Sequence, residues 1–433
     1  MKKSLLAVAA LTAFAGAAQA QSSVTVYGIL DVGYIGSNTR VSNGGTTGTG
    51  AGTVTKTTSS AFGQSAEQTS RIGFKGTEDM GNGTSAFFTA EFQLYPQDQT
   101  LSGNSSSKDA AATTAQSGGL LNRQTFVGLK KNGLGQAAIG LQYTPVFNAG
   151  AATSPGQYNN MLGDVVYAGS TTAGNNGGGA TTTGFTNRTS NTLTVQSDKF
   201  AGFSAGAMYT LNNSNATETT TTGSAVGVGG NTNANGWGLN ADYTLNKFYI
   251  TAAYQALKQL TTATNGGTPT ATAGNSATTT LGATSAWTGA QPSALVAGSG
   301  LNVQDNQFLA GATYDFGILK AYAQYVSRKA TATQSSNYYV KRSAEQIGVR
   351  SFITPTVEAW ASIGTGRYTS FGTNNPTANF NGWQLGSNYL LSKRTNLYAI
   401  YGQQLFSNAN AGTGYGTVSA GANNYAVGVR HTF

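Results

Sequence analysis

Residue types that could carry out covalent or metal chemistry are scarce in this sequence. It contains no cysteine and a single histidine, His431, the third residue from the end. Without cysteine there is no thiolate metal site, and one histidine in this position is a poor basis for a multi-histidine metal centre or a Ser-His-Asp hydrolase. We therefore expect no enzymatic activity, no bound metal and no cofactor.

Charged side chains are also few, and they are dispersed. The chain has 24 Lys and Arg against 15 Asp and Glu, and charged residues make up 9% of it, whereas soluble domains average about 25%. No run of Lys or Arg exceeds two residues, so a basic nucleic-acid surface is not expected. Any role for the arginines must come from the fold that gathers them.

The first twenty residues have the pattern of a secretory signal peptide. Lys2 and Lys3 precede an apolar run over 5–14, and Ala18-Gln19-Ala20 is a small-residue cleavage site. The run is too short for a spanning helix, which needs about 20 apolar residues. We predict cleavage after Ala20 and a single mature domain over 21–433.

The rest of the chain alternates strand-like segments with two kinds of connection, seven short turns and eight long polar loops. The composition, with 59 Gly, 21 Tyr, 19 Phe and 7 Pro, suits strands, aromatic belts and polar loops. Strict alternation of turn and loop implies sixteen strands. They are predicted at 24–37, 70–77, 83–94, 121–129, 135–143, 188–196, 203–211, 235–245, 247–258, 306–315, 318–327, 343–352, 356–367, 381–391, 395–407 and 423–433.

Many of these segments carry apolar side chains at every second position. In 237–245 the alternate residues are Trp, Leu, Ala, Tyr and Leu, and the opposite face holds Asn240 and Asp242. A soluble sandwich is one reading of this pattern. Aromatic residues near the ends of the apolar faces favour a membrane instead, because Tyr and Trp concentrate where lipid meets water. A sheet in a bilayer must close on itself, and sixteen strands enclose an aqueous channel.

The chain ends on "YAVGVRHTF", residues 425–433, with Tyr425, Val427, Val429, His431 and Phe433 on one face of an extended strand. An apolar face that ends on an aromatic residue fits a strand between lipid and a polar interior. His431 is then expected at a membrane interface.

Several stretches resemble the general trimeric porins of the Gram-negative outer membrane, of the Neisseria-like and Burkholderia-like type. They are "SSVTVYGILDVGY", "SRIGFKGTEDMGNGTSAFFTAEF", "NRQTFVGLKKNGLGQAAIGLQYTP", "SDKFAGFSAGAMY" and the closing "YAVGVRHTF". They run from the first strand to the last, and the long loops lie outside them.

The resemblance implies an all-β, 16-stranded antiparallel transmembrane barrel with short periplasmic turns, long extracellular loops and a third loop, 144–187, folded into the channel. It implies a homotrimer in contact with outer-membrane lipid and lipopolysaccharide. Arg71, Arg123 and Arg188 correspond to the basic wall of the constriction, and Asp164 lies on the inward loop. Phe433 corresponds to the terminal aromatic that the outer-membrane assembly machinery reads.

Side-chain parity supports part of this assignment. Arg71 lies opposite Ile72 and Phe74, and Arg188 shares parity with polar residues, so both should face the lumen. Arg123 shares parity with apolar Val127, which leaves its direction open. For each arginine the alternative is a rim charge in contact with solvent or lipopolysaccharide. Parity also places a further set inward: Lys320, Arg350, Arg430, Asp31, Asp242 and Glu358.

Two residues depart from the family pattern. Asp164 is the single acidic residue between 144 and 187, where several carboxylates are usual, and Leu141 stands where the family often has arginine. The first weakens the acidic side of the constriction, and the second removes one possible cation.

The resulting expectation is an outer-membrane channel for passive diffusion of small hydrophilic solutes, with a preference for anions because arginines gather at its narrow point. The alternatives are a substrate-specific porin for phosphate or organic acids, an outer-membrane barrel enzyme, and a secreted Thr/Gly-rich adhesin without a pore.

Overall fold

The computed structural model describes residues 23–43, 53–97, 120–167, 186–216, 230–261, 303–332, 339–370, 377–406 and 418–433. The predicted signal peptide, 1–20, and much of the long loops lie outside these residues. The described part contains seventeen strands and one helix, and none of its helices is long and apolar enough to cross a bilayer.

The strands are β1 Ser23–Asn43, β2 Val54–Gln64, β3 Arg71–Gly81, β4 Thr84–Gln93, β5 Leu121–Lys131, β6 Gly135–Tyr143, β7 Arg188–Ser197, β8 Phe203–Ala216, β9 Gly230–Leu245, β10 Phe248–Thr261, β11 Val303–Asp315, β12 Lys320–Ala332, β13 Tyr339–Thr354, β14 Val357–Ser370, β15 Thr377–Leu390, β16 Thr395–Phe406 and β17 Val418–Thr432; the helix, α1, is Pro145–Thr153.

Every strand from β3 onward pairs antiparallel with the next strand in sequence, β1 pairs with both β2 and β3, and the first strand pairs with the last. The β1–β17 ladder runs from Ile29↔Thr432 to Asn43↔Val418. Beyond the last strand, Phe433 exchanges backbone hydrogen bonds with Gly28 at 3.1 and 3.2 Å. This closure joins the two ends of the sheet into a barrel, the arrangement by which a sheet satisfies its backbone polar groups in a bilayer.

Two of the seventeen strands, β2 and β3, are halves of one interrupted strand. The C-terminal part of β1 pairs with β2, from Val32↔Gln64 to Ser42↔Val54. The N-terminal part of β1 pairs with β3, from Ile29↔Arg71 to Ser23↔Thr77. Residues 65–70 separate the halves. The barrel therefore has sixteen strand positions, which confirms the predicted strand number and closure.

The predicted first long loop, 38–69, is wrong in part, because β1 continues to Asn43 and β2 lies within that range. The segment "VTKTTSSAFGQ" is rich in Thr and Ser, so its composition indicates a loop. Its pairing with β1 overrides that local signal, since register with a neighbouring strand is a tertiary property.

The seven predicted turns are confirmed as the short connections at one end of the barrel. Asn82 and Asn246 adopt φ values of 53° and 52° there, a left-handed conformation that asparagine tolerates better than most residues. The strand ends that adjoin the long connections lie at the opposite end. In outer-membrane barrels the short-turn end faces the periplasm and the long-loop end faces outward.

Burial is inverted relative to a soluble protein, which excludes the sandwich. Apolar Ile347 and Ile363 are 62% and 59% exposed on the outside, whereas Gln255, Gln307 and Gln346 inside are at most 2% exposed. The sheet thus presents an apolar surface to lipid and a polar surface to the interior.

Candidate pore constriction

The described part of the third loop that follows β6, 144–167, lies inside the barrel. After β6, Thr144 caps α1 by accepting a hydrogen bond at Oγ1 from the Phe147 amide at 3.3 Å, and Pro145 begins the helix. The helix packs against the inner faces of β9 to β12. On β12, the Gln324 side-chain amide donates to the Gly150 carbonyl at 2.7 Å and to Thr153 Oγ1 at 2.8 Å.

Residues 154–167 continue from α1 towards the wall formed by β13 to β17. Gln346 on β13 accepts a hydrogen bond from the Val165 amide at 2.8 Å, and Asn424 on β17 accepts one from the Leu162 amide at 3.0 Å. These wall positions are 181 and 262 residues away in sequence. The loop therefore lies across the lumen and narrows it, which confirms the predicted inward third loop.

Glycines on the wall make room for this loop. A Cβ at Gly402 would lie 1.8 Å from the Leu162 carbonyl oxygen, and one at Gly364 would lie 2.3 Å from a Val165 methyl group. Both distances are shorter than any tolerated contact. Gly364 on β14 and Gly402 on β16 thus provide the close approach by which the loop packs directly on the strand backbone.

The structure brings Arg71, Arg123 and Arg188 together on the inner wall, on β3, β5 and β7. Arg123 Nε lies 2.8 Å from Glu91 Oε1, and Arg71 Nη1 lies 3.8 Å from the same oxygen. Arg188 donates from Nη1 to the Arg123 carbonyl at 3.3 Å. Two guanidinium groups thus contact one carboxylate, and the third is linked to them through the Arg123 backbone.

Tyr143, at the end of β6, fills the space between two of these arginines. Its hydroxyl accepts a hydrogen bond from Arg123 Nη2 at 2.9 Å, and the Arg188 guanidinium carbon lies 5.3 Å from its ring centre. The cation–π contact and the hydrogen bond hold both side chains in defined orientations.

A β-bulge decides the direction of Arg123, which parity left open. Glu91 pairs with Gln124 and the next residue, Phe92, pairs with Asn122, so Arg123 is the extra residue on β5. A bulge of this kind re-aims one side chain while the strand on either side keeps its alternation. Arg123 therefore points inward although Val127 faces lipid.

The three arginines differ in their access to the lumen. The Arg71 side chain is 19% exposed, against 5% for Arg123. Arg71 Nε donates to the Thr69 carbonyl at 2.8 Å, which leaves its terminal nitrogens near Glu91. Arg188 is largely buried, and within the described residues its Nε has no hydrogen-bond partner. Arg71 is accordingly the member of the cluster best placed to act on passing ions.

Asp164 lies within the third loop, where its carboxylate bonds to the loop itself. Oδ1 accepts hydrogen bonds from the Val166 and Tyr167 amides, both at 2.8 Å, and Oδ2 accepts one from Ser154 at 2.9 Å. The residue is 3% exposed, and this burial raises the pKa of the Asp164 carboxyl, against the opposing effect of its hydrogen bonds. These contacts direct Asp164 into the loop rather than towards the arginines.

Sequence reasoning missed three acidic residues of the inner wall, Glu91, Glu67 and Asp305. Glu91 is described above; its alternation with apolar Phe92 was a usable signal. Glu67 lies on the 65–70 segment, within the range predicted as a loop, and pairs with Arg430 at 3.3 Å and with Asn396 at 3.0 Å. Asp31 accepts hydrogen bonds from the Glu67 and Gln68 amides at 2.9 and 2.6 Å and so holds this segment inward.

Other charges predicted to face inward also lie on the inner face, and most are paired. Arg350 and Glu358 are 2.5 Å apart. Asp242 accepts hydrogen bonds from Tyr249 and Thr251 at 3.0 and 2.6 Å. Arg328 and Asp305 were not predicted to face inward, but they also lie on the inner face and form a pair at 2.7 Å.

A closed sixteen-strand barrel with a polar interior, narrowed by an internal loop and bearing clustered arginines on its wall, defines a channel-forming outer-membrane protein. The family model for the Gram-negative porins matches residues 7–410. The chain therefore belongs to the Gram-negative porin family, and it is a protein of the outer membrane.

Curated relatives include an outer membrane porin protein of Bordetella pertussis, 38% identical over 146 residues that cover 33% of this chain and 34% of the relative. The major outer membrane protein P.IB of Neisseria gonorrhoeae is 30% identical over 211 residues, 48% of each chain. The chain thus aligns with about a third to a half of the length of these relatives.

Among solved structures, an anion-selective porin from Comamonas acidovorans superposes with a TM-score of 0.58 at 21% identity, covering 95% of this chain and 100% of that one. A trimer form of OmpT from Vibrio cholerae superposes with a TM-score of 0.55 at 12% identity, covering 95% and 99%. These likenesses establish the shared barrel fold.

Proposed function

We propose that this protein forms a water-filled outer-membrane channel for passive diffusion of small hydrophilic solutes and ions, with a preference for anions. The observation that carries the proposal is the arginine cluster beside the inward loop. The relatives are named as porins, and we propose transport without catalysis.

The proposed mechanism needs no reaction chemistry from the wall. The inward loop limits solute size, and the cluster of Arg71, Arg123 and Arg188 exceeds its single carboxylate, Glu91, by two formal charges. A net positive site in a narrow aqueous passage raises the local concentration of anions and lowers that of cations, because low-dielectric walls focus the field.

Reversal potentials in planar bilayers test this function. The mature protein is inserted in a bilayer with a tenfold KCl gradient, and the sign of the zero-current potential reports the preferred ion. We expect the sign for chloride preference. The matched control replaces one ion at a time: potassium gluconate replaces chloride by a bulky anion, and a second salt replaces potassium by a bulky cation. In an anion-preferring channel the bulky anion should reduce the current more than the bulky cation does. A potential of the opposite sign would contradict the charge argument and leave the barrel intact.

A second candidate function is a substrate-specific anion channel for phosphate or organic acids. It is favoured by Arg188 Nε, which lies buried next to Tyr143 without a hydrogen-bond partner among the described residues. A guanidinium with one donor to spare can bond one oxygen of an oxyanion. Saturable current that one anion blocks would support this candidate, whereas conductance proportional to salt concentration would support general diffusion.

Residues Arg71, Arg123 and Arg188 are proposed as the basic wall of the constriction. For Asp164 we propose a different role from the acidic side of the pore, namely closure of the inward loop, because its oxygens already accept three hydrogen bonds within that loop.

We also propose a homotrimer, as the resemblance to the trimeric Neisseria-like and Burkholderia-like porins implies. Single-channel recordings in which one inserted particle closes in three equal conductance steps would support the trimer. We propose signal cleavage after Ala20, which the intact mass of the mature protein tests. Phe433 is proposed as the residue that the outer-membrane assembly machinery reads.

A further inference from the structure

Two lysines stand directly opposite each other on the lipid-facing side of the barrel. Lys329 on β12 pairs with Lys341 on β13, and both side chains are exposed. Like charges directly opposite on one face of a sheet are destabilising. Lys329 Nζ lies 4.9 Å from the Tyr339 ring centre, and none of the salt bridges among the described residues involves either lysine.

A third cation lies on the next strand. Arg367 on β14 pairs with Ser343, two positions from Lys341 on the same face of β13, and its side chain is exposed. Its Nε donates to Asn379 at 2.9 Å, which orients the guanidinium along the barrel surface. We call Lys329, Lys341 and Arg367 the outer basic cluster.

The outer basic cluster marks a boundary on the outside of the barrel. Along β13 towards the turn end, the outward residues after Ser343 are Glu345 and then apolar Ile347 and Val349. On β12 the corresponding change is from Lys329 through Ser327 to Tyr325. The cluster is therefore placed where the lipid-facing surface becomes polar, on the long-loop side, which faces the outer leaflet.

An apolar groove of about 890 Å³ lies just below the cluster. Small residues on β11 and β12, Ala310, Ala312 and Ala323, form part of its lining, and larger side chains border it, namely Ile250, Tyr325, Ile347, Ile363 and Trp383. A groove of this composition on a membrane face suits an acyl chain.

Glu345 is the acidic residue nearest to this arrangement on its own strand. It pairs with Tyr325 and Thr365 and lines the groove below the cations. One carboxylate against three cations leaves a net positive patch. Three exposed cations also suit the core of a protein interface poorly, because charged residues are depleted there.

We propose that the outer basic cluster binds the phosphate groups of a phosphorylated, acylated outer-leaflet glycolipid, with one acyl chain in the groove. Arg367 can bind a phosphate in bidentate fashion, and the two lysines act as point charges. The bound phosphate relieves the repulsion between Lys329 and Lys341. This site lies on the outer surface and is independent of ion flow through the lumen.

Lipid binding to the mature protein, refolded lipid-free in detergent, tests the proposal. The wild-type protein is titrated with diphosphoryl lipid A and with its fully dephosphorylated counterpart, and native mass spectrometry measures the affinity for each lipid. The test variant is Lys329→Gln/Lys341→Gln/Arg367→Gln. The matched control is Lys199→Gln/Lys247→Gln/Lys393→Gln, which removes the same charge from exposed turns at the opposite end. Heat-dependent gel mobility verifies that each variant is folded.

We expect wild type and the control variant to bind the diphosphoryl lipid with the same affinity. The test variant should bind it at least about tenfold more weakly, since charge-assisted contacts are lost. A Lys329→Arg/Lys341→Arg variant, which keeps the charge, should retain binding.

Three outcomes overturn the proposal. They are a test variant that binds within twofold of wild type, a control variant that loses as much affinity, and equal binding of the dephosphorylated lipid. A change in the number of chains per particle in the test variant would assign this face to a contact between copies, and would overturn it as well.

Discussion

Neutralising Arg71 is the sharpest perturbation of the proposed constriction. Its side chain is the more exposed of the two arginines that contact Glu91, and it lies 3.8 Å from that carboxylate, beyond a short hydrogen bond. Arg71→Gln keeps a polar side chain and removes one positive charge. Because the 2.8 Å contact between Arg123 and Glu91 remains, the wall should keep its fold.

The expected effect follows from Coulomb's law. An ion about 7 Å from the guanidinium in water interacts with it by about 0.6 kcal/mol, and screening in 0.1 M salt reduces this to about 0.3 kcal/mol. Anions lose that stabilisation and cations lose the same repulsion. The anion-to-cation permeability ratio should therefore fall by about threefold.

The assay is the reversal potential across a salt gradient, measured first near 0.1 M and then near 1 M. In 1 M salt the Debye length is about 3 Å, so the difference between Arg71→Gln and wild type should nearly vanish. Arg367→Gln is the matched control, because it removes the same charge from the outer face. An unchanged ratio at low salt, or an equal change in the control, would refute the reasoning.

The other predictions concern three parts of the barrel. Glu91→Gln removes the shared carboxylate, so anion preference should rise in bilayers while the melting temperature falls, because a buried ion pair is broken; a fall in anion preference would contradict this. Asp164→Ala should raise open-channel noise, since the loop loses three hydrogen bonds, whereas Asp164→Asn should leave the reversal potential unchanged; a shift in Asp164→Asn as large as that of Arg71→Gln would instead place Asp164 on the acidic wall. Deletion of Phe433 should lower the amount of protein in outer-membrane fractions on immunoblots. Gly28→Val, whose Cβ would lie 2.3 Å from the Phe433 ring, should reduce thermal stability and keep the outer-membrane level; equal losses would assign Phe433 to barrel closure alone.

Strand alternation and turn chemistry were readable from the chain because both are local. A two-residue period placed Arg71 and Arg188 on the inner face, where the structure has them, and tight turns delimited the hairpins. The same local rule failed at Arg123, since a bulge inserts one residue and shifts parity. It also failed at β2, where a polar composition hid a strand that pairs with β1.

The amino-acid sequence by itself determined the class of fold, the strand number and the set of charges available to the interior. Only the tertiary structure decided which charges meet: Glu91 with Arg123, Glu67 with Arg430, and Asp164 with its own loop. Strand number and parity depend on neighbours a few residues apart. Contacts such as Glu67 to Arg430 or Leu162 to Asn424 join residues hundreds of positions apart, and they exist only once the sheet has closed and the loop has folded into it.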